Sequence, residues 1–150
     1  MSTSALDRNI AGLDYVRRLI TGEIPTVPIA EVLNMRIVEA QLGRVSLVGS
    51  PDQRAYNLIG TVHGGWTATI LDTAMGLAVL SQLEPERTFT TIDIRVNYLR
   101  GVTRATGDVH AVGRVVNAGR RLAYCESTLC DGAGKLFAHA TSSCMILERS

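Results

Sequence analysis

The stretch Gly64 to Leu83, GGWTATILDTAMGLAVLSQL, is apolar on nearly every face and holds one charged residue, Asp72. It has no proline and is rich in Ala and Leu, so its preferred state is a helix. A helix that is apolar all round must be covered on all sides by the rest of its chain or by a partner. With 150 residues, the chain has about one domain's worth of material to supply that cover.

The cover reads as β-structure. Met35 to Leu42 and Arg44 to Gly49 are strand candidates, with Gly43 as the turn between them. After Pro85, Thr88 to Leu99 alternates, with Ile92, Ile94, Val96 and Tyr98 on one face and Thr91, Asp93, Arg95 and Asn97 on the other. Thr106 to Val116, Arg121 to Cys130 and Lys135 to Leu147 follow as a meander, separated by the turns Asn117-Ala118-Gly119-Arg120 and Asp131-Gly132-Ala133-Gly134. Before the sheet, apolar residues at Leu6, Ile10, Leu13, Val16, Leu19 and Ile20 have helical spacing. That predicts a helix over about residues 4–21, with Ser4 as its cap and Gly22 as its stop. Pro25 and Pro28 then predict an extended connection. The expected fold is a single α+β domain over residues 1–150, with about six antiparallel strands wrapped around one long helix. Exposed strand edges in such a sheet invite pairing with a second copy.

Near-neutral charge, fifteen Lys and Arg against fourteen Asp and Glu, argues against a nucleic-acid module. No stretch has the roughly 18 unbroken apolar residues of a membrane span. Residues 1–22 have no apolar core of a secretory signal, so a cytoplasmic location is expected. Cys125, Cys130 and Cys144 fit no familiar zinc spacing and read as small buried hydrophobes, so no metal is expected.

Chemistry concentrates between Asn57 and Asp72. A carboxylate in apolar surroundings is costly unless it is bonded or used. No Lys or Arg lies three or four residues from Asp72, where Ala68, Thr69, Met75 and Gly76 stand. Gly64 and Gly65 fall where the helix begins, and bare backbone amides there suit an oxyanion or anion. Close packing would also account for the pair. His63 beside a helix start reads mainly as a structural hydrogen-bonder, and His110 and His139 as scaffold. Eight residues separate Gly64 from Asp72, about 12 Å along one helix. A reacting carbonyl must lie about 3 Å from its donors. If both residues act, Asp72 comes from one subunit and Gly64 from its twofold partner.

Asn57, His63-Gly64-Gly65 and Asp72 together resemble the hot-dog-fold acyl-CoA thioesterases of the PaaI type. Thr90-Thr91-Ile92-Asp93, Asn97-Tyr98-Leu99-Arg100 and Asn117 to Leu122 extend the resemblance, which covers roughly Val32 to Leu147. It implies hydrolysis of an acyl-CoA thioester, with Asp72 as general base or nucleophile. It implies that the partner subunit's helix-start amide, Gly64 in each chain, polarises the carbonyl. Asn57 would hold the loop and the water or thioester, and Thr91 would orient the water. The resemblance also puts His63, Gly65, Asp93 and Tyr98 near the substrate, although Asp93 and Tyr98 lie on opposite faces of a regular strand. Asn117, Ala118, Gly119, Arg120, Arg121 and Leu122 match a segment that contacts the CoA nucleotide, and two arginines suit phosphates. A hairpin tip in solvent would look the same. No separate cofactor is implied, since CoA is part of the substrate, and a homodimer or homotetramer is.

A sister branch of the family has Glu for Asp72 and a Thr one turn later. Here that position is Gly76, which favours the pairing of Asp72 with Thr91. Trp66 either packs in the core or lines the acyl pocket. Two other functions suit the same fold: an acyl-CoA hydratase or dehydratase, and a non-catalytic acyl-CoA sensor. The first needs a histidine working with an acid on the acyl chain, and His63 stands at the helix start instead. The second has no use for a buried carboxylate beside the thioester.

Overall fold

In the computed structural model, which describes residues 9–149, the long apolar helix lies across a six-stranded antiparallel sheet. The elements in chain order are α1 (Gly12–Thr21), α2 (Pro28–Val32), β1 (Met35–Gln41), β2 (Arg44–Gly49), α3 (Gly64–Leu80), β3 (Arg87–Tyr98), β4 (Val109–Ala118), β5 (Leu122–Asp131) and β6 (Leu136–Glu148). Short 3₁₀ turns cover Gln53–Ala55 and Arg104–Thr106. This is the hot-dog fold, with the sheet curled over α3. Most of α3 is buried, Ile70, Leu71, Ala74 and Met75 completely. Burying apolar area at about 25 cal/mol per Å² makes this helix the main organiser of the core. Gly113 lets it approach β4 closely: a Cβ there would lie 2.2 Å from the Ala74 carbonyl oxygen.

The strand order is β1-β2-β4-β5-β6-β3. The expected simple meander after Pro85 is therefore wrong. β3 does not pair with β4, but crosses to the far edge and pairs with β6. The ten residues between β3 and β4 make that crossover, so the strand expected from Thr106 begins only at Val109. β1 and β3 are the two free edges. On β6, Ala138, Ala140, Ser142, Cys144 and Ile146 alternate as buried residues, while Leu136 at its start is only partly buried.

The N-terminal helix is shorter than its periodicity predicts. Ile10 and Ala11 are not helical and the helix begins at Gly12, whose N–H donates to the Leu83 carbonyl at 2.9 Å. Ser4 and the rest of the expected first turn lie outside the described residues. Gly22 does end α1, in the left-handed conformation with φ 77°. The extended connection expected from the prolines is interrupted by α2. Pro28 opens that short helix, because a missing N–H costs nothing in a first turn. The central helix stops at Leu80, not Leu83. Asn117 and Ala118 belong to β4, and the chain turns over residues 119–121.

Candidate active site

β3 carries an irregularity that decides which side chains meet α3. Its register against β6 slips between Thr91 and Asp93, leaving Ile92 as the extra residue of a bulge. Alternation restarts after it. Thr91 and Tyr98, expected on opposite faces, both reach α3. The Thr91 hydroxyl donates to Asp72 Oδ1 at 3.0 Å, and the Tyr98 hydroxyl donates to the Gly64 carbonyl at 2.8 Å. Asp93 falls outside this group. Its carboxylate accepts the Ser143 N–H at 3.0 Å, and its carbonyl accepts the Ser142 hydroxyl at 2.8 Å. Asp93 thus ties the bulge to β6.

Asp72 is half-buried on α3. Burial pushes its carboxyl above the ordinary aspartate range, and the hydrogen bond from Thr91 pulls it part of the way back. Both residues line a cavity of about 440 Å³ between α3, β3, α1 and the segment 25–28. The rest of its wall is mainly apolar, with Tyr15, Leu19, Val27, Leu77 and Phe89 prominent. Gly76, one turn beyond Asp72, packs against the Phe89 ring, where a Cβ would come within 2.7 Å. A threonine at that position would require the Phe89 ring to move.

At the start of α3, His63 is the N-cap. Its Nδ1 accepts the Gly65 N–H at 2.9 Å, so its proton sits on Nε2. This agrees with the structural reading of His63 and takes the Gly65 amide out of use. The amides of Trp66 and Thr67 go to the His63 carbonyl. Among the described residues, the Gly64 N–H has no acceptor. His63→Ala is expected to lower stability by about 1 kcal/mol through loss of the cap, read as a shift in urea midpoint at unchanged m-value.

Asn57 holds the loop in front of Gly64. Its side-chain carbonyl accepts the N–H groups of Ile59 and Thr61, and its NH₂ donates to the Thr61 hydroxyl at 2.8 Å. Both ends of the amide are thereby engaged in the loop. Asn57, Gly64 and Tyr98 line a second cavity, of about 280 Å³, which does not include Asp72. Within one chain, the carboxylate and the free amide open into separate spaces, as the helix-length argument requires. The largest cleft described, about 900 Å³, lies between residues 50–56 and 103–108 and holds neither. Two aspartates and two arginines in its wall leave it without net charge.

Arg120 and Arg121 are exposed on the β4–β5 hairpin, and neither side chain has an ion-pair partner among the described residues. Leu122 and Thr90 both stand opposite Met145 of β6. The hairpin tip therefore lies two strands from Thr90, about 10 Å at sheet spacing. Trp66 is core: it is buried on Gly49 and donates its indole N–H to the Leu33 carbonyl at 2.9 Å. Cys125 and Cys144 are buried free thiols, 4.0 Å apart. The sequence reading missed the wall supplied by α1 and residues 25–28. A faint signal was present, since Tyr15 and Leu19 share one face of an amphipathic helix.

A family model for the thioesterase superfamily matches residues 59–138, and the chain belongs to that superfamily. Acyl-coenzyme A thioesterase 13 of Homo sapiens is 30% identical over 103 residues, which cover 68% of this chain and 72% of that protein. A Halobacterium salinarum protein with esterase in its name is 40% identical over 84 residues, or 55% of this chain and 54% of that one. The chain thus spans about half the length of that relative. Among solved structures, a mutant of the phenylacetic acid degradation protein PaaI from Thermus thermophilus superposes with a TM-score of 0.72 at 26% identity, covering 79% of this chain and 98% of that one. No helix among the described residues is long and apolar enough to cross a membrane.

Proposed function

We propose that this protein hydrolyses an acyl-CoA thioester to the free acid and CoA. The observation that carries the reading is a half-buried Asp72, held through one oxygen by Thr91 and facing an apolar cavity. In this mechanism Asp72 takes a proton from water as the water attacks the thioester carbonyl. Thr91 fixes the carboxylate and helps to orient the water. The oxyanion of the tetrahedral intermediate is held by the Gly64 N–H, aided by the positive end of α3. The intermediate collapses with cleavage of the C–S bond, and the thiolate of CoA leaves and is protonated. Arg120 and Arg121 suit the phosphates of CoA. Superfamily membership and the similarity to an acyl-CoA thioesterase support the same chemistry.

The carboxylate and the amide are brought together by a second copy of the chain. The free β3 edge carries exposed Ile92, Ile94, Tyr98 and Leu99, and the loop beside Gly64 exposes Leu58 and Ile59 almost completely. Apolar residues grouped at a strand edge mark an interface. Twofold pairing of β3 edges makes a dimer with two sites, each with Asp72 from one protomer and Gly64 from the other. The test is thiol release from phenylacetyl-, benzoyl-, short- and medium-chain acyl-CoA. Turnover of at least one thioester is expected. Tight binding of the whole panel with no turnover of any member would favour the sensor instead.

A further inference from the structure

We propose that α1 and the segment 25–28 form one wall of an acyl channel, and that this wall selects straight-chain acyl groups of about eight to ten carbons. The inference rests on the thioesterase reading and adds to it the substrate class and the residues that choose it. The segment lies outside residues 59–138, which the superfamily model matches.

The chain runs back along α3 from its C-terminal end. Gly12 bonds to Leu83 at one end, and Leu33 accepts the Trp66 indole N–H at the other. Between these two fastenings, Tyr15, Leu19 and Val27 face Leu77, Leu80 and Phe89 across the cavity that holds Asp72. The space extends along α3 from Asp72 to Leu80, eight residues or about 12 Å. A zigzag of single carbon–carbon bonds advances about 1.25 Å per carbon. Filling the length from the carboxylate to Leu80 therefore takes about eight to ten carbons. A benzoyl or acetyl group leaves the Tyr15 and Leu80 end unfilled and forfeits the apolar contact there.

The test uses the full chain with two readouts. The first is kcat/KM for butanoyl-, octanoyl-, decanoyl- and benzoyl-CoA. The second is calorimetric binding of the butyl and decyl thioethers of CoA, which cannot be hydrolysed. Wild type is expected to favour decanoyl over butanoyl, and decyl over butyl, by at least tenfold. Leu19→Phe narrows the channel, and Val27→Trp fills it from a half-buried position that leaves the core intact. Both are expected to cut the decanoyl-to-butanoyl ratio at least tenfold. Arg17→Ala, on the exposed face of α1, is expected to leave the ratio unchanged. Hydrolysis with no chain-length preference, or a ratio that moves less than twofold in both channel variants, overturns the inference and spares the thioesterase reading. Chain-length-dependent binding without hydrolysis of any thioester supports the channel and overturns the thioesterase reading.

Discussion

Asp72→Asn is expected to lower thioester turnover by about 10²–10⁴-fold, the range of a positioned general base, while the protein becomes more resistant to unfolding. Asparagine keeps the shape and can still accept the Thr91 hydroxyl. It cannot take a proton from water. The loss should appear in kcat and in kcat/KM alike, because the base acts only as the transition state forms. An unchanged KM alongside a collapsed kcat would separate this loss from a binding defect.

The stability half of that result follows from the direction of the Asp72 shift. Burial raises the carboxyl above its unfolded value. Between the two values the folded chain binds more protons than the unfolded one, so stability falls as pH rises through that interval. Above that interval the charged Asp72 weighs against the fold, and the neutral amide of Asp72→Asn removes that burden. A higher Tm for the mutant at pH 7 is expected, and the gap should narrow as pH drops below the raised value. Activity runs the opposite way. It needs the carboxylate, so the acid limb of the pH–rate profile should lie above the ordinary aspartate range. Thr91→Val removes the bond that favours the charged form and should move that limb higher still. A mutant less stable than wild type at pH 7 would mean that Asp72 is a structural anchor and not a base held at a cost.

The helix, the sheet and the carboxylate were legible in the sequence because each follows from a short-range rule. An all-round apolar run with one acid has few homes, and Gly43 and Gly22 stand where left-handed backbone is needed. The pairing of β3 with β6 was not legible, since alternation fixes a strand's faces but not its neighbour. The bulge at Ile92 escaped for the same reason: regular alternation puts Thr91 and Tyr98 on opposite faces, and only the slipped register brings both to α3. Asp93 looked like a site residue by its place in a motif, yet its carboxylate caps the Ser143 amide. The apolar wall from α1 combines residues more than fifty positions from Asp72 and Phe89, beyond the reach of any local pattern.

Gly64→Pro should be as damaging as a lost oxyanion donor elsewhere, about 10²–10³ in kcat, without unfolding the helix. Gly64 is the first residue of α3, a position where proline is well tolerated because its missing N–H would be unbonded anyway. His63 before it has φ −61° and ψ 136°, the extended geometry that a following proline requires. The substitution removes the free amide and adds a Cβ that the Tyr98 ring must shift to accept, and Gly64→Ala controls for that second change. Gly64→Ala keeps the amide. Its Cβ would meet the Tyr98 ring at 3.1 Å, a contact that a small ring shift relieves, so a much smaller loss is expected. Mixing the two inactive proteins then tests how the site is divided between chains. If Asp72 and Gly64 of one site come from different protomers, a dimer of one Asp72→Asn chain and one Gly64→Pro chain has one intact site and one doubly damaged site. Random exchange makes half of the dimers mixed, so activity should recover to about a quarter of wild type. If both residues of a site came from one chain, every chain in the mixture would carry a damaged site. No exchange of subunits would then restore activity, and the recovered fraction separates the two arrangements directly.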